Sequence, residues 1–261
     1  MSSYFERLDA NRYRPTADAG GAWKDGEIHF SPLGGLIVHA IDLHRAARDE
    51  ETRMVLSRIS FDILGFLAAE VCEVRVETIR PGRTIELLEA TVVINGRPAV
   101  LARAWFTITG DTSEVAGGAP ARLSLPGPEH RWPITDTWPG GYVASLEMRA
   151  ADAPRPGRVT AWLSTDRQLV AGEAASVQAC FIALVDTANG VAVRRSPREW
   201  MFPNLDLTIH LHRQPIRGWV GLDTTVTFGA TGQGLTSTVL HDESGPVGRA
   251  EQTLTVRPIP D

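Results

Sequence analysis

Ser31-Pro32-Leu33-Gly34-Gly35-Leu36-Ile37-Val38-His39-Ala40-Ile41 is the stretch that decides the fold. Leu33, Leu36, Ile37, Ala40 and Ile41 recur at i, i+3, i+4, i+7 and i+8, so one face of a helix is apolar. Val177, Cys180, Phe181, Leu184 and Val185 draw the same stripe in the second half of the chain. After the first stripe, Cys72, Val74 and Val76 alternate with Glu73, Arg75 and Glu77, the period of a strand with one buried face. Thr84 to Ile94 and Pro98 to Ile108 follow, joined at Asn95-Gly96, a hairpin dipeptide. After the second stripe come Leu222, Thr224, Val226 and Phe228 alternating with polar residues, then Gly234 to Leu240, Ser244-Gly245 and a last strand to Val256. Each half therefore reads as one long helix against an antiparallel sheet.

The segment Gly110 to Gly141 interrupts this patterning with glycines and prolines. It reads as the connection between two modules, giving an N-terminal unit over 1–112, a linker over 113–137 and a C-terminal unit over 138–261. Leu123, Leu125, Trp132 and Trp138 favour a strap lying on the surface over a disordered tether. Tyr142–Arg149 and Arg158–Thr165 are expected as strands leading to the second helix, and Tyr4–Phe30 should supply their counterparts. Ser31 is expected to cap the first helix, with Pro32 in its first turn. Asn189-Gly190 is expected to end the second helix in a left-handed conformation. Two such modules side by side satisfy each other's edge strands and bury both apolar stripes. The expected fold class is α+β, a double hotdog whose two helix-wrapped antiparallel sheets form one continuous sheet; the alternative is two unrelated α+β domains.

A net charge of −5 and the lack of a basic run argue against a nucleic-acid partner. Met1–Tyr13 has neither a signal-peptide core nor a spanning segment, so a cytoplasmic protein with no membrane partner is expected. The two cysteines, Cys72 and Cys180, fall on predicted core positions and support neither a disulfide framework nor a Cys-based metal site. No glycine fingerprint, phosphate loop, nucleophile elbow or zinc-helix motif is present, and no cofactor is expected. What remains is polar groups on strands. In Asp206-Leu207-Thr208-Ile209-His210-Leu211-His212-Arg213, alternation puts Asp206, Thr208, His210 and His212 on one face. That face is either a solvated strand surface, a metal pair without a third ligand, or a general-base site at Asp206.

Leu146-Glu147-Met148-Arg149 leading to Trp162, the helix Ala183-Leu184-Val185-Asp186, the run from Asp206 through His212-Arg213 to Trp219, and Val247-Gly248-Arg249-Ala250-Glu251-Gln252 form a set of stretches in the second half. Through them the second half resembles the TesB-like acyl-CoA thioesterases. The first half is similar through Gly34-Gly35, Arg80-Pro81-Gly82 and Asn95-Gly96-Arg97-Pro98. The sequence departs from that family in its long linker and over Gly229–Gly234. The resemblance implies cleavage of fatty acyl-CoA thioesters by a water held between an aspartate, a threonine and a glutamine. It carries these roles to Asp206 as base, Thr227 (or Thr225 on the same face) and Gln252, with no metal. For the substrate's oxyanion, Gly34 and Gly35 at the start of the first helix are the expected donors, with Ala174-Ala175 as the other candidate. Asp42 and Asp186 on the helices compete for the role of base, Asp42 being expected in solvent. Arg80, Arg83, Arg213 and Arg217 are candidates for coenzyme A phosphates. A hotdog hydratase or dehydratase, and a non-catalytic acyl-CoA-binding protein, are the rival readings. Exposed sheet edges suggest a homodimer.

Overall fold

The computed structural model describes residues 2–48 and 53–259. The first half contributes β1 (Ser3–Arg7), β2 (Arg12–Pro15), α1 (Phe30–Ala46), β3 (Met54–Ile63), β4 (Cys72–Arg80), β5 (Ile85–Ile94) and β6 (Arg97–Ile108). After the connecting segment come α2 (Gly141–Ala144), β7 (Leu146–Ala150), β8 (Arg158–Thr165), β9 (Gln168–Val170), α3 (Val177–Val185), α4 (Ala188–Val191) and β10 (Trp200–Met201). The chain closes with β11 (Asp206–Leu211), β12 (Val220–Phe228), β13 (Gln233–Asp242), β14 (Gly245–Thr255) and β15 (Arg257–Pro258).

One sheet runs through both halves in the order β7-β8-β12-β13-β14-β11-β3-β6-β5-β4-β2-β1-β9. Read outward from the β11–β3 junction, the two sides are copies: β14, β13, β12, β8, β7 on one, β6, β5, β4, β2, β1 on the other. The junction is antiparallel, with Thr208 opposite Ser60 and Ile209 opposite Ile59. β9 breaks the symmetry by pairing in parallel with β1. A strand of the second half thereby closes the far edge of the first. This is the double hotdog, with a continuous sheet.

Alternation along the central strands sorts residues to two faces. Leu207 and Ile209 of β11, Ile59 and Phe61 of β3, and Ala102, Ala104 and Phe106 of β6 are buried toward the helices. Asp206, Thr208 and His210 take the opposite face. Sequence alternation did not expose β3 as a strand, because a bulge between Leu56 and Arg58 shifts its parity, so that its buried residues are Met54 and Leu56 but then Ile59 and Phe61.

On the inner face, α1 and α3 lie antiparallel. Ser31 at the start of α1 reaches Thr187 just past α3 (Oγ–Oγ1 3.3 Å), while Asp42 near the end of α1 accepts from Ser176 and Gln178 at the start of α3 (2.6 and 2.7 Å). The helices cross at Gly35, where a Cβ would stand 2.5 Å from Ala183 Cβ and 2.8 Å from the Ala179 carbonyl oxygen. Between sheet and partner helix, α1 is buried from Phe30 to Ile41, beyond the width of its apolar stripe. Each of Leu33, Leu36, Ile37 and Ile41 contributes about 2 kcal/mol of burial.

Local expectations are corrected in three places. α1 begins at Phe30, and its cap is His29, whose Nδ1 accepts from the Ser31 N–H at 3.1 Å. Tyr142 and Val143 belong to α2, so the strand starts at Leu146. α3 ends at Val185, and Asn189-Gly190 lies inside α4 without a positive φ. The connecting segment is a strap that buries Ile134 and Trp138, the latter donating its indole N–H to Gly190 O at 2.8 Å. Replacing Gly35 by valine forces α1 off α3, and calorimetry should show a loss of about 2 kcal/mol or more; an unchanged transition would show that the crossing does not depend on this contact.

Candidate active site

The end of α3 delivers a carboxylate into the interior. Asp186 follows the last residue of the stripe and is 6% exposed. Its Oδ1 accepts two amide N–H groups, from Asn204 Nδ2 and from Gln252 Nε2, each at 2.8 Å. Asn204 comes from the loop before β11, where it also bonds the Asp206 carbonyl at 3.1 Å. Gln252 comes from the inner face of β14, opposite Thr236 of β13. Oδ2 has no hydrogen-bond donor among the described residues and stands 3.8 Å from His29 Nδ1.

That pair is not an ion pair. His29 Nδ1 is already the acceptor for the Ser31 N–H, and burial pushes the imidazole down to about 3. A ring that accepts at Nδ1 and carries no charge holds its proton on Nε2. Burial raises the Asp186 carboxyl from 3.8 to about 6, against the opposing effect of the amide donors of Asn204 and Gln252. The carboxylate is therefore charged at neutral pH and close to its midpoint.

Asp186, Asn204 and His29 face a cavity of about 460 Å³. Gln252 lies behind the carboxylate and does not line it. The walls are mainly apolar: Trp23 and Ile28 before α1, Phe66 and Leu67 after β3, and Ile134 and Trp138 from the strap. Trp23 packs edge-on against Trp138 and Phe202, with ring centroids 4.7 and 5.1 Å apart. Lys24 and Arg257 are the cations of the lining. Such a space suits an apolar chain that ends at a polar head.

The structure brings one of the three expected catalytic residues, Gln252, to this site. Asp206 and Thr227 stand on the outer face of the sheet, because each is an odd number of positions from a buried neighbour of its own strand. Asp206 accepts from the Thr253 backbone N–H at 2.6 Å, fastening β14 beside the start of β11. Thr227 is exposed, as is Thr225, which accepts from Arg158. Gly34 and Gly35 do not line the cavity; Gly35 provides the close approach of the helices. Ala174-Ala175 does not line it either. Arg213 forms a two-pronged pair with buried Asp242, and Arg80 bonds the Ile85 carbonyl. Neither lines the cavity, nor do Arg83 and Arg217. Among the described residues no group of three His, Cys, Asp or Glu could hold a metal ion, and no helix is long and apolar enough to cross a membrane.

Sequence reasoning singles out neither Asn204 nor His29, and ranks Asp186 below Asp206. The repeat held a signal for the helix acid: Asp42 and Asp186 each follow the fifth residue of their stripe. Asp42 is not in solvent, being half-buried and tied to Ser176 and Gln178 of the other helix. β6, the counterpart of β14 in the sheet, has Ala102, Ala104 and Phe106 on its inner face and no counterpart of the Gln252 amide.

Fold and cavity together define a protein of the double-hotdog class. Residues 119–256 match the acyl-CoA thioesterase C-terminal domain and residues 20–107 the acyl-CoA thioesterase N-terminal domain. The chain belongs to the acyl-CoA thioesterase family. Similar solved structures include an acyl-CoA thioesterase II from Mycobacterium marinum, at 18% identity over 98% of this chain and 95% of that one, with a TM-score of 0.64. A tesB protein from Mycobacterium avium subspecies paratuberculosis is 14% identical over 97% and 96%, with a TM-score of 0.68. A hot dog fold protein of unknown function from Alicyclobacillus acidocaldarius is 13% identical over 98% and 96%, with a TM-score of 0.74. Curated proteins yielded no match to this chain.

The Asp186 shift has a consequence for stability. A carboxyl raised in the fold binds its proton more tightly there than in the unfolded chain. The stability it contributes is full below pH 3.8 and is lost as pH rises through about 6. The loss approaches about 3 kcal/mol at pH 8. Asp186→Asn should therefore be more stable than the parent at pH 8, with the advantage shrinking toward pH 4, as denaturant titrations at both pH values would read. An advantage independent of pH would rule out this origin.

Proposed function

We propose that the protein hydrolyses fatty acyl-CoA to the free acid and coenzyme A by direct attack of water, with Asp186 as general base. The observation that carries this reading is the asymmetry of the Asp186 carboxylate on the cavity wall: two amide N–H groups occupy Oδ1, and Oδ2 has no donor among the described residues. A water beside Oδ2 gives it a proton while its oxygen bonds the thioester carbonyl carbon. The tetrahedral intermediate then breaks its C–S bond, and the thiolate leaves and takes up a proton. Gln252 holds the carboxylate in place from behind. Asn204, bonded to the same oxygen and lining the cavity, has a carbonyl oxygen left to orient the water. For the acyl tail the apolar walls replace water, and Lys24 and Arg257 supply positive charge for coenzyme A phosphates.

A hydratase or dehydratase reading draws support from the 3.8 Å approach of His29 to Asp186, since that chemistry uses a His–Asp pair. The tautomer opposes it, because Nε2 carries the proton and cannot abstract one. Free-thiol release from saturated acyl-CoA, measured beside the absorbance of a 2-enoyl-CoA, separates the two.

Asp186→Asn is expected to lower kcat at least 10²-fold, and Asn204→Ala and Gln252→Ala less so, while Asp206→Asn and Thr227→Val leave it within a few-fold. The rate should fall on the acid side with a midpoint near pH 6, as the base becomes protonated. Full activity in Asp186→Asn, or its loss in Asp206→Asn alone, would return the role to Asp206.

Residence in the cytoplasm belongs to the same proposal, supported by the two free cysteines, one of them a buried thiol pushed up to about 12. So does a two-fold dimer. Its support is the open face of the central strands, where Asp62 and Asp206 lie at one end and Arg58 and His210 at the other, so that a second copy turned end for end would match charges. Light scattering should give twice the chain mass; a monomer mass removes the dimer.

A further inference from the structure

His29 has a duty at each ring nitrogen. Nδ1 is committed to the Ser31 N–H at 3.1 Å, and the ring lies against Tyr142, with centroids 4.2 Å apart and planes 32° from parallel. Tyr142 is itself fixed by Thr187, whose Oγ1 is 2.6 Å from the phenol oxygen. The imidazole is thus held on one edge by a backbone donor and on one face by a clamped aromatic ring. The proton is confined to Nε2, which has no partner among the described residues, on a side chain that lines the cavity beside Asp186. An unclaimed N–H on a ring that lines an apolar cavity, next to the acid proposed to activate water, can meet the other end of the reaction.

We propose that His29 is a catalytic residue, its Nε2–H donating a hydrogen bond to the thioester carbonyl oxygen and strengthening that bond as the oxygen becomes an oxyanion. The chemistry requires a neutral donor. A neutral imidazole N–H stabilises the oxyanion without protonating it, so the C–S bond can break when the carbonyl re-forms. No proton leaves His29 during the cycle, and its Nδ1 cap is never released. The positive end of the α1 dipole opens at the same residue and adds to the effect. The earlier expectation put this function at Gly34 and Gly35; it moves to the residue that precedes the helix.

This rests on the thioesterase reading, and two variants keep the two apart. His29→Ser retains an oxygen that can accept from the Ser31 N–H and removes the distal donor. It should unfold close to the parent temperature, lose roughly 10²–10³-fold in kcat and raise its KM by no more than about tenfold. A second readout follows the carbonyl itself. The affinity for a non-hydrolysable ketone analogue of acyl-CoA should fall roughly tenfold in His29→Ser, while that for a thioether analogue without the carbonyl stays the same. If serine does not fold, His29→Asn supplies the cap and the same comparison is made. Parent-like kcat, or equal losses for ketone and thioether, would overturn the donor and leave His29 as a helix cap. With Asp186→Asn assayed in parallel, an inactive Asp186→Asn beside an active His29→Ser refutes only the donor. An active Asp186→Asn refutes the base, and the ketone comparison still decides the donor.

Discussion

The close crossing of two helices at Gly35 is the constraint on which the rest depends. Without a side chain there, α1 and α3 lie near enough for Ala179 and Ala183 to touch the α1 backbone. Antiparallel packing at that distance fixes which ends meet: the start of α1 with the end of α3, and the start of α3 with the acid-bearing turn of α1. His29 and Asp186, 157 positions apart in sequence, become neighbours through a helix contact neither takes part in. The shared sheet below supplies Gln252 and the loop carrying Asn204 to the same end.

Duplication produced two acids in equivalent settings and gave them different fates. Asp186 is surrounded by amide donors and an uncharged imidazole, and burial raises its carboxyl to about 6. Asp42 turns to the other helix, where it accepts from the capping serine and the next polar side chain. Two amides on one oxygen offset only part of the cost of burying a charge, which leaves the Asp186 site less stable than an apolar one. That residual cost is the source of its basicity.

Much of the architecture was legible because periodicity is a local property. The two stripes, the alternating strands and the Asn95-Gly96 hairpin could all be read from neighbours in the chain. β3 could not, since one bulged residue between Leu56 and Arg58 cancels the alternation by which strands are recognised. The site was harder still. The resemblance carries the role of base to Asp206, whose polar row by itself reads equally as a solvated face, and Leu207 and Ile209 point the other way into the core. Gln252 is legible through the resemblance, but the acid it meets, Asp186, stands past the end of α3 on a different element, which no strand alternation points to.

The sequence by itself determined a duplicated helix-and-sheet chain, a protein without motifs for phosphate, metal or disulfide chemistry, and a resemblance to thioesterases that the domain matches bear out. Tertiary structure alone decided which acid meets which amide, that His29 rather than Ser31 caps α1, and that the strap walls the cavity with Trp138. The physical reason is that strand and helix periods are set within a few residues. Convergence at Asp186 depends instead on the face each strand presents and on the distance between two helices. One bulge or one glycine changes either, with no trace in the local pattern.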